Sequence, residues 1–105
     1  FDIASASFAK SINVQDSFPV TVEFNADGTR LYEVGGNTLK IYQSNLSTPF
    51  DIASASLTKS INIQDQFATA ITFNGDGTKL YECGSSGENI YQLSLAGIQW
   101  QTIST

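Results

Sequence analysis

Few side chains in this sequence could carry out acid–base, nucleophilic or metal chemistry. The 105 residues contain no His and one Cys. The commonest general base and metal ligand is therefore missing, and one Cys allows no intrachain disulfide and no Cys-based zinc site. Cys83 would need a base to act as a nucleophile, and its place in the pattern below matches Val34, which favours a small buried apolar residue. We predict no catalytic residue, no metal, no cofactor and no enzyme.

The strongest candidates for ligand binding are two Gln-Asp pairs, one Glu and the single Trp. Amide and carboxylate groups can hydrogen-bond sugar hydroxyls, but Asp in a turn also accepts backbone N–H groups, and we favour this second interpretation. Trp100 lies outside the repeated pattern, so it either seals a contact between subunits or stacks on a ligand. If this part of the chain binds a ligand, the predicted site residues are Gln15, Asp16, Gln64, Asp65, Glu88 and Trp100.

One segment has the opening spacing of a calcium-binding loop. Residues 23–28 (EFNADG) place oxygen-bearing side chains at alternate positions, as an EF-hand does. Position twelve would be Val34 instead of a bidentate Glu, and the second copy of the segment begins with Thr72. We therefore expect a structural turn at this segment.

Composition and charge exclude several partners. Five basic and ten acidic residues give a net charge of −5, which disfavours binding to nucleic acid or to anionic membranes. The sequence has no apolar run near 18 residues and no start resembling a signal peptide. It has room for one domain, and it begins at Phe1 without a Met, as a piece of a longer protein would.

One unit of 49 residues occurs twice. Residues 1–7 (FDIASAS) recur as residues 50–56, and the same offset aligns the Gln-Asp, Asp-Gly-Thr, Leu-Tyr-Glu and Ile-Tyr-Gln segments. About 27 of the 49 aligned positions are identical. The chain 1–105 is therefore a single two-repeat unit, with its parts at 1–49, 50–98 and a tail at 99–105.

Each repeat predicts short β-strands and no helix. Val20, Val22 and Phe24 alternate with polar residues, which is the period of a half-buried strand. An Asp-Gly pair then separates this run from the next, as in a β-hairpin, because Gly accepts a positive φ. The predicted strands are 8–14, 18–25, 30–34, 39–46, 57–63, a strand around Ile71 and Phe73, 79–83 and 89–95.

Short strands repeated in tandem with Gly-rich turns are typical of β-propeller blades. The chain resembles the tandem β-propeller repeats of many bacterial and phage-encoded proteins in residues 24–32 (FNADGTRLY), Gly35, Ile41-Tyr42 and the link 46–52 (LSTPFDI). The second copy departs from this pattern, because residues 95–100 (LAGIQW) replace the link. The resemblance implies an all-β fold with two four-stranded blades per chain. It also makes an extracellular or virion-associated location a candidate for this protein, which we expect to be soluble.

Two blades cannot close a propeller, which needs about four to eight. The phase of the repeat predicts how copies would join, since the chain begins with the fourth strand of a blade, 8–14, and ends after a third strand, 89–95. The leading strand of one copy can then complete the last blade of the next, in a head-to-tail contact. We expect a six-bladed homotrimer. A four-bladed dimer, an eight-bladed tetramer and a fragment of a longer array remain open.

The resemblance leaves function open, because propellers host unrelated activities. In propellers the connections that carry the Gln-Asp pairs and the Gly-rich loops share one face, where ligands are often held. We expect a non-enzymatic binding or structural module. The alternative is a carbohydrate-binding lectin with sites at the loop face or between blades. Such a lectin would be similar in plan to known two-blade chains that close six-bladed trimers. The sugar sites of those chains use Trp, Arg and Glu, whereas this chain has only one Trp and one Arg.

Overall fold

A computed structural model describes residues 2–95 as an all-β protein with two antiparallel sheets. The first sheet has the strand order β1-β2-β3-β4, and the second has the order β5-β6-β7. The all-β prediction is confirmed, and each strand predicted after residue 17 is present. The strands are β1 (Pro19–Phe24), β2 (Arg30–Gly35), β3 (Lys40–Leu46), β4 (Ala55–Asn62), β5 (Ala68–Phe73), β6 (Lys79–Gly84) and β7 (Asn89–Ser94).

The first hairpin of each sheet closes through the same side-chain bonds. Asp27 Oδ1 accepts the backbone N–H of Thr29 at 3.1 Å and the Thr29 hydroxyl at 2.6 Å. Gly28 follows with a φ of 75°, in the left-handed region that glycine tolerates best. Asp76 bonds Thr78 in the same way in the second sheet. The segment with the opening spacing of a calcium loop thus contains the hairpin turn that the Asp-Gly pair predicted.

The sequence predicted no helix, and this prediction is wrong at the start of each repeat. Two three-residue 3-10 helices cover Ile3–Ser5 and Ile52–Ser54. Asp2 and Asp51 cap them, because each side chain accepts the N–H of the residue two positions later. A single Asp-capped turn is too short to show helical periodicity. Within residues 2–95, no helix is long and apolar enough to span a bilayer.

The leading segment also differs from its prediction. Residues 6–14 form no strand in the described structure, although 8–14 was predicted as one and the equivalent segment forms β4. The reason is pairing, since β4 hydrogen-bonds along β3 and none of the described strands pairs with residues 6–14. A strand without a ladder partner leaves its N–H and C=O groups unpaired.

The two sheets pack against each other through one apolar core. β1 lies beside β5, so that the first strands of the two sheets are neighbours. The rings of Tyr32 and Phe73 meet across the boundary with centroids 4.6 Å apart. Both sheets contribute to the buried cluster, which consists of Val34, Ile41, Ala68, Ile71 and Leu80.

Candidate functional site

Two acidic side chains organise the turn that precedes β1. Glu33 of β2 is buried, and its carboxylate accepts the backbone N–H of Gln15, at 3.0 Å from each oxygen, and that of Asp16 at 3.1 Å. The carboxylate of Asp16 in turn accepts the N–H of Phe18 at 2.7 Å. This is the local turn bond that Asp favours. The buried Glu33 thus holds the base of the leading segment against the first sheet.

Asp16 also ties this turn to the loop between β2 and β3. Its carboxylate accepts the N–H of Asn37 at 3.2 Å, the N–H of Thr38 at 2.9 Å and the Thr38 hydroxyl at 2.6 Å. A Cβ at Gly35 would overlap the Asp16 carboxyl group, so this close approach requires glycine. The Thr38 hydroxyl above all, assisted by the backbone donors, lowers the pKa of Asp16 to about 2.

The second repeat builds the same arrangement. Glu82 is buried and accepts the N–H of Gln64 at 3.0 Å and of Asp65 at 2.8 Å. Asp65 accepts the N–H of Gly87 at 2.7 Å and of Ser86 at 3.2 Å. These backbone bonds, that from Gly87 first, lower the pKa of Asp65. The Gln-Asp turns therefore lie beside the Gly-rich loops, and the turn bonds expected of both Asp residues are present.

Two of the six predicted site residues, Gln64 and Asp65, line a cavity. A shallow cavity of about 320 Å³ opens at the second turn. Gln15 and Glu88 are exposed, and Trp100 lies outside the described residues. Binding at these residues stays a prediction. The cavity is lined by Gln64, Asp65, Gln66, Ser86, Gly87 and Tyr91.

Cys83 is half-buried, in the position that corresponds to the fully buried Val34. Its sulfur lies 3.3 Å from the hydroxyl of Thr69 on the neighbouring strand. A threonine hydroxyl is no general base at neutral pH, so this contact does not activate the thiol.

A larger cavity, of about 610 Å³, lies between the two sheets. The first sheet contributes Arg30, Tyr32 and Lys59 to one wall, and the second sheet contributes Phe73 to the opposite wall. Burial raises the pKa of Tyr32, so its hydroxyl remains protonated. We call this cavity the inter-sheet cleft. The sequence did not single it out, because its walls come from strands that only sheet packing brings together.

The sequence reasoning also missed Glu33 and Glu82. The available signal was the recurrence of Leu-Tyr-Glu, which places a charged residue inside an apolar strand in both repeats. A buried carboxylate needs hydrogen-bond donors, and here the donors are backbone groups of a turn 17 to 18 residues earlier.

No protein-family model matches the chain, and a search of characterised proteins finds no match.

Proposed function

We propose that the chain is a subunit of a closed β-propeller, which assembles head to tail and serves as a non-enzymatic binding or structural module. One observation carries the proposal. Each sheet has a second apolar face, equivalent by the repeat to one side of the interface between the two sheets, and this second face is exposed. Three further features support it: the sheet edges, the anchoring of the leading segment and the phase of the repeat.

The exposed fractions of equivalent residues show the uncovered halves. Ile41 on the first sheet is 3% exposed because the second sheet covers it, whereas its equivalent Ile90 is 77% exposed. Ile71 on the second sheet is 7% exposed, whereas its equivalent Val22 is 54% exposed. A second copy that placed Val22 over Ile90 would repeat the packing that the chain already makes internally. Burial of these apolar surfaces would stabilise the assembly.

The sheet edges point to the same contact. The first sheet has four strands, whereas β7 ends the described part of the second sheet without a partner on its outer edge. In the first sheet Ile41 lies opposite Ile61 of β4. The repeat offset then places Ile12 of one copy opposite Ile90 of the next. Strand addition of this kind satisfies backbone groups and protects an exposed edge.

The leading segment is anchored as this contact requires. Glu82 holds the residues that follow β4 on the second sheet, while β4 itself pairs with the preceding sheet. Glu33 holds Gln15 in the same way, so in a ring residues 6–13 would be able to pair with a preceding sheet as β4 does. In the single chain this segment is tied down by an exposed ion pair between Lys10 and Asp51, 2.8 Å apart. Exposed pairs contribute little to stability and are easily exchanged.

Symmetry limits the number of sheets in the ring to an even number. Closed rings have about four to eight blades, so copies with two sheets each allow a dimer, a trimer or a tetramer. We favour the trimer, with six four-stranded blades and a native mass of roughly 34 kDa, three times 11.3 kDa. Native mass spectrometry that shows only the single chain at micromolar concentration would overturn the ring and favour a piece of a longer array.

Deletion of residues 1–14 tests the junction. The variant loses the added strand and should aggregate or partly unfold, because the edge of β7 and the apolar faces are left uncovered. A peptide covering residues 1–15 should partly restore the ring. Deletion of residues 1–5 should have a smaller effect, since it keeps residues 6–14 and removes only the equivalent of the contact between Phe50 and Phe24. If the longer deletion leaves the size and the melting temperature unchanged, the junction lies elsewhere.

A second candidate function is carbohydrate binding at the loop face. The cavity at the second turn is lined by Gln64, Gln66 and Tyr91 among others, and amides with an aromatic ring suit the polar edge and apolar face of a sugar. A glycan array separates this function from a purely structural one. Binding that survives Gln64→Ala and Gln66→Ala would place the sugar elsewhere.

A further inference from the structure

The inter-sheet cleft collects positive charge on its first wall. Glu23, Tyr32, Gln43 and Lys59 stand in one cross-strand row, because each pairs with the next. Glu23, at the far end of this row, does not line the cleft, whereas the other three do. Directly paired residues in antiparallel strands share one face of the sheet. Arg30 lies two residues before Tyr32 on β2 and therefore shares this face. An amide, a hydroxyl and two cations thus point from one wall into the cleft.

The opposite wall is mostly apolar. The second sheet contributes Phe73, Leu80 and Leu95 to it, with Ser94 as its one polar side chain, and Ile41 of the first sheet adds to the apolar surface. The volume of about 610 Å³ is within the range of small-molecule sites. The cleft therefore combines a broad apolar surface with a few polar groups at one side.

The charge of the cleft is opposite to that of the chain. The protein has five basic and ten acidic residues, yet two of the five line this cleft and no carboxylate does. Within residues 2–95, neither Arg30 nor Lys59 forms an ion pair with a carboxylate. Arg binds carboxylate, sulfate and phosphate oxygens in a bidentate manner, and Lys adds a point charge.

We propose that the inter-sheet cleft binds a small organic anion that has one anionic oxygen group and an apolar or aromatic body. The anionic group would lie between Arg30 and Lys59, with Gln43 as a further hydrogen-bond donor. The body would lie on Tyr32 and Phe73. Binding discriminates against the neutral analogue because the analogue leaves both cations without a counter-charge.

The repeat predicts a second, equivalent cleft wherever two copies join. With the offset of 49, Lys79 is the equivalent of Arg30, and Lys10 is the equivalent of Lys59. Four of the five basic residues therefore occupy equivalent cleft positions. This part of the inference rests on the proposed ring, because Lys10 reaches Lys79 only from another copy. The cleft within one chain does not depend on the ring.

Titration calorimetry with 2-naphthoate, compared with the neutral 2-naphthamide, tests the cleft in the full-length chain. We expect naphthoate to bind at least about tenfold tighter at low salt, with the difference shrinking as salt screens the charges. Arg30→Gln and Lys59→Gln should each weaken naphthoate binding about fivefold to tenfold, with little effect on naphthamide. Lys40→Gln is the control, because it removes the same charge from a strand position outside the cleft.

The outcomes separate the cleft from the ring. Two naphthoate molecules per chain are expected in an assembly, and one per chain in a protein that native mass spectrometry shows to be monomeric. Equal affinity for naphthoate and naphthamide, or an equal loss with Lys40→Gln, overturns the cleft whatever the mass of the assembly. A monomer that still prefers naphthoate overturns only the junction sites.

Discussion

Truncation of Ile90 to Ala gives the sharpest measure of the proposed junction between copies. Ile90 is 77% exposed in the single chain, and its equivalent Ile41 is 3% exposed, so closure would cover about three quarters of the side chain. Burial of a whole Ile contributes about 1.5–3 kcal/mol, and a cavity adds to the loss when the side chain is truncated. We expect Ile90→Ala to cost about 2 kcal/mol per junction, or about 30-fold in association.

A closed trimer has three such junctions, so the total loss is about 6 kcal/mol for the ring. The single chain should be almost unaffected, because truncation of an exposed side chain changes the free energy of unfolding by about 0.5 kcal/mol or less. Sedimentation velocity over a concentration series, from nanomolar to micromolar, measures the change in association. Circular dichroism under dissociating conditions checks that the chain stays folded.

Phe67→Ala is the matched control. Phe67 and its equivalent Phe18 are both exposed, so the packing between the two sheets covers neither, and we expect the assembly of this variant to equal that of the parent. Ile90→Ala with an unchanged concentration dependence would refute the reasoning. An equal effect of Phe67→Ala would also refute it, by showing that exposed apolar area alone drives association.

Three other predictions follow from the turns. The pKa of Asp16 is about 2 in the folded protein and its usual value is 3.8, so its stabilising effect is complete above about pH 4 and is lost as the pH falls towards 2. The melting temperature of Asp16→Asn should therefore depend less on pH in that range than the melting temperature of the parent. Glu82→Gln should lower the free energy of unfolding by about 1–3 kcal/mol in urea titrations, because a buried NH₂ would face the N–H groups of Gln64 and Asp65. Calcium titration of the Asp27 turn should release no heat, and a site of millimolar or tighter affinity that disappears in Asp27→Asn would contradict this.

Local chemistry explains why so much of the fold could be predicted from the sequence. The Asp-Gly pairs at 27–28 and 76–77 form hairpins because Asp bonds a neighbouring Thr and Gly adopts a positive φ. Alternating apolar residues predicted β1 at 18–25, and the strand is Pro19–Phe24. These features depend on residues a few positions apart, and the 49-residue repeat ensures that each is built twice.

The candidate sites depend on contacts between distant residues. Glu33 bonds a turn 17 to 18 positions earlier, and Arg30 and Lys59 share a wall only because β2, β3 and β4 pair in one register. No local pattern contains this information, because the register and the packing of one sheet on another determine which side chains meet. The sequence therefore identified Asp16 as a turn residue but neither its partner Glu33 nor the cleft.

The clearest division between sequence and tertiary structure lies in two nearly identical segments. Residues 6–13 (ASFAKSIN) and 55–62 (ASLTKSIN) differ at two positions, so their local preferences for β-structure are nearly the same. The second segment is the strand β4, and the first is not a strand in the single chain. The sequence by itself determined that both segments can form a strand. The presence of β3 alongside decided that only one does, because a β-strand is stabilised by hydrogen bonds and side-chain contacts with its neighbour and not by its own residues alone.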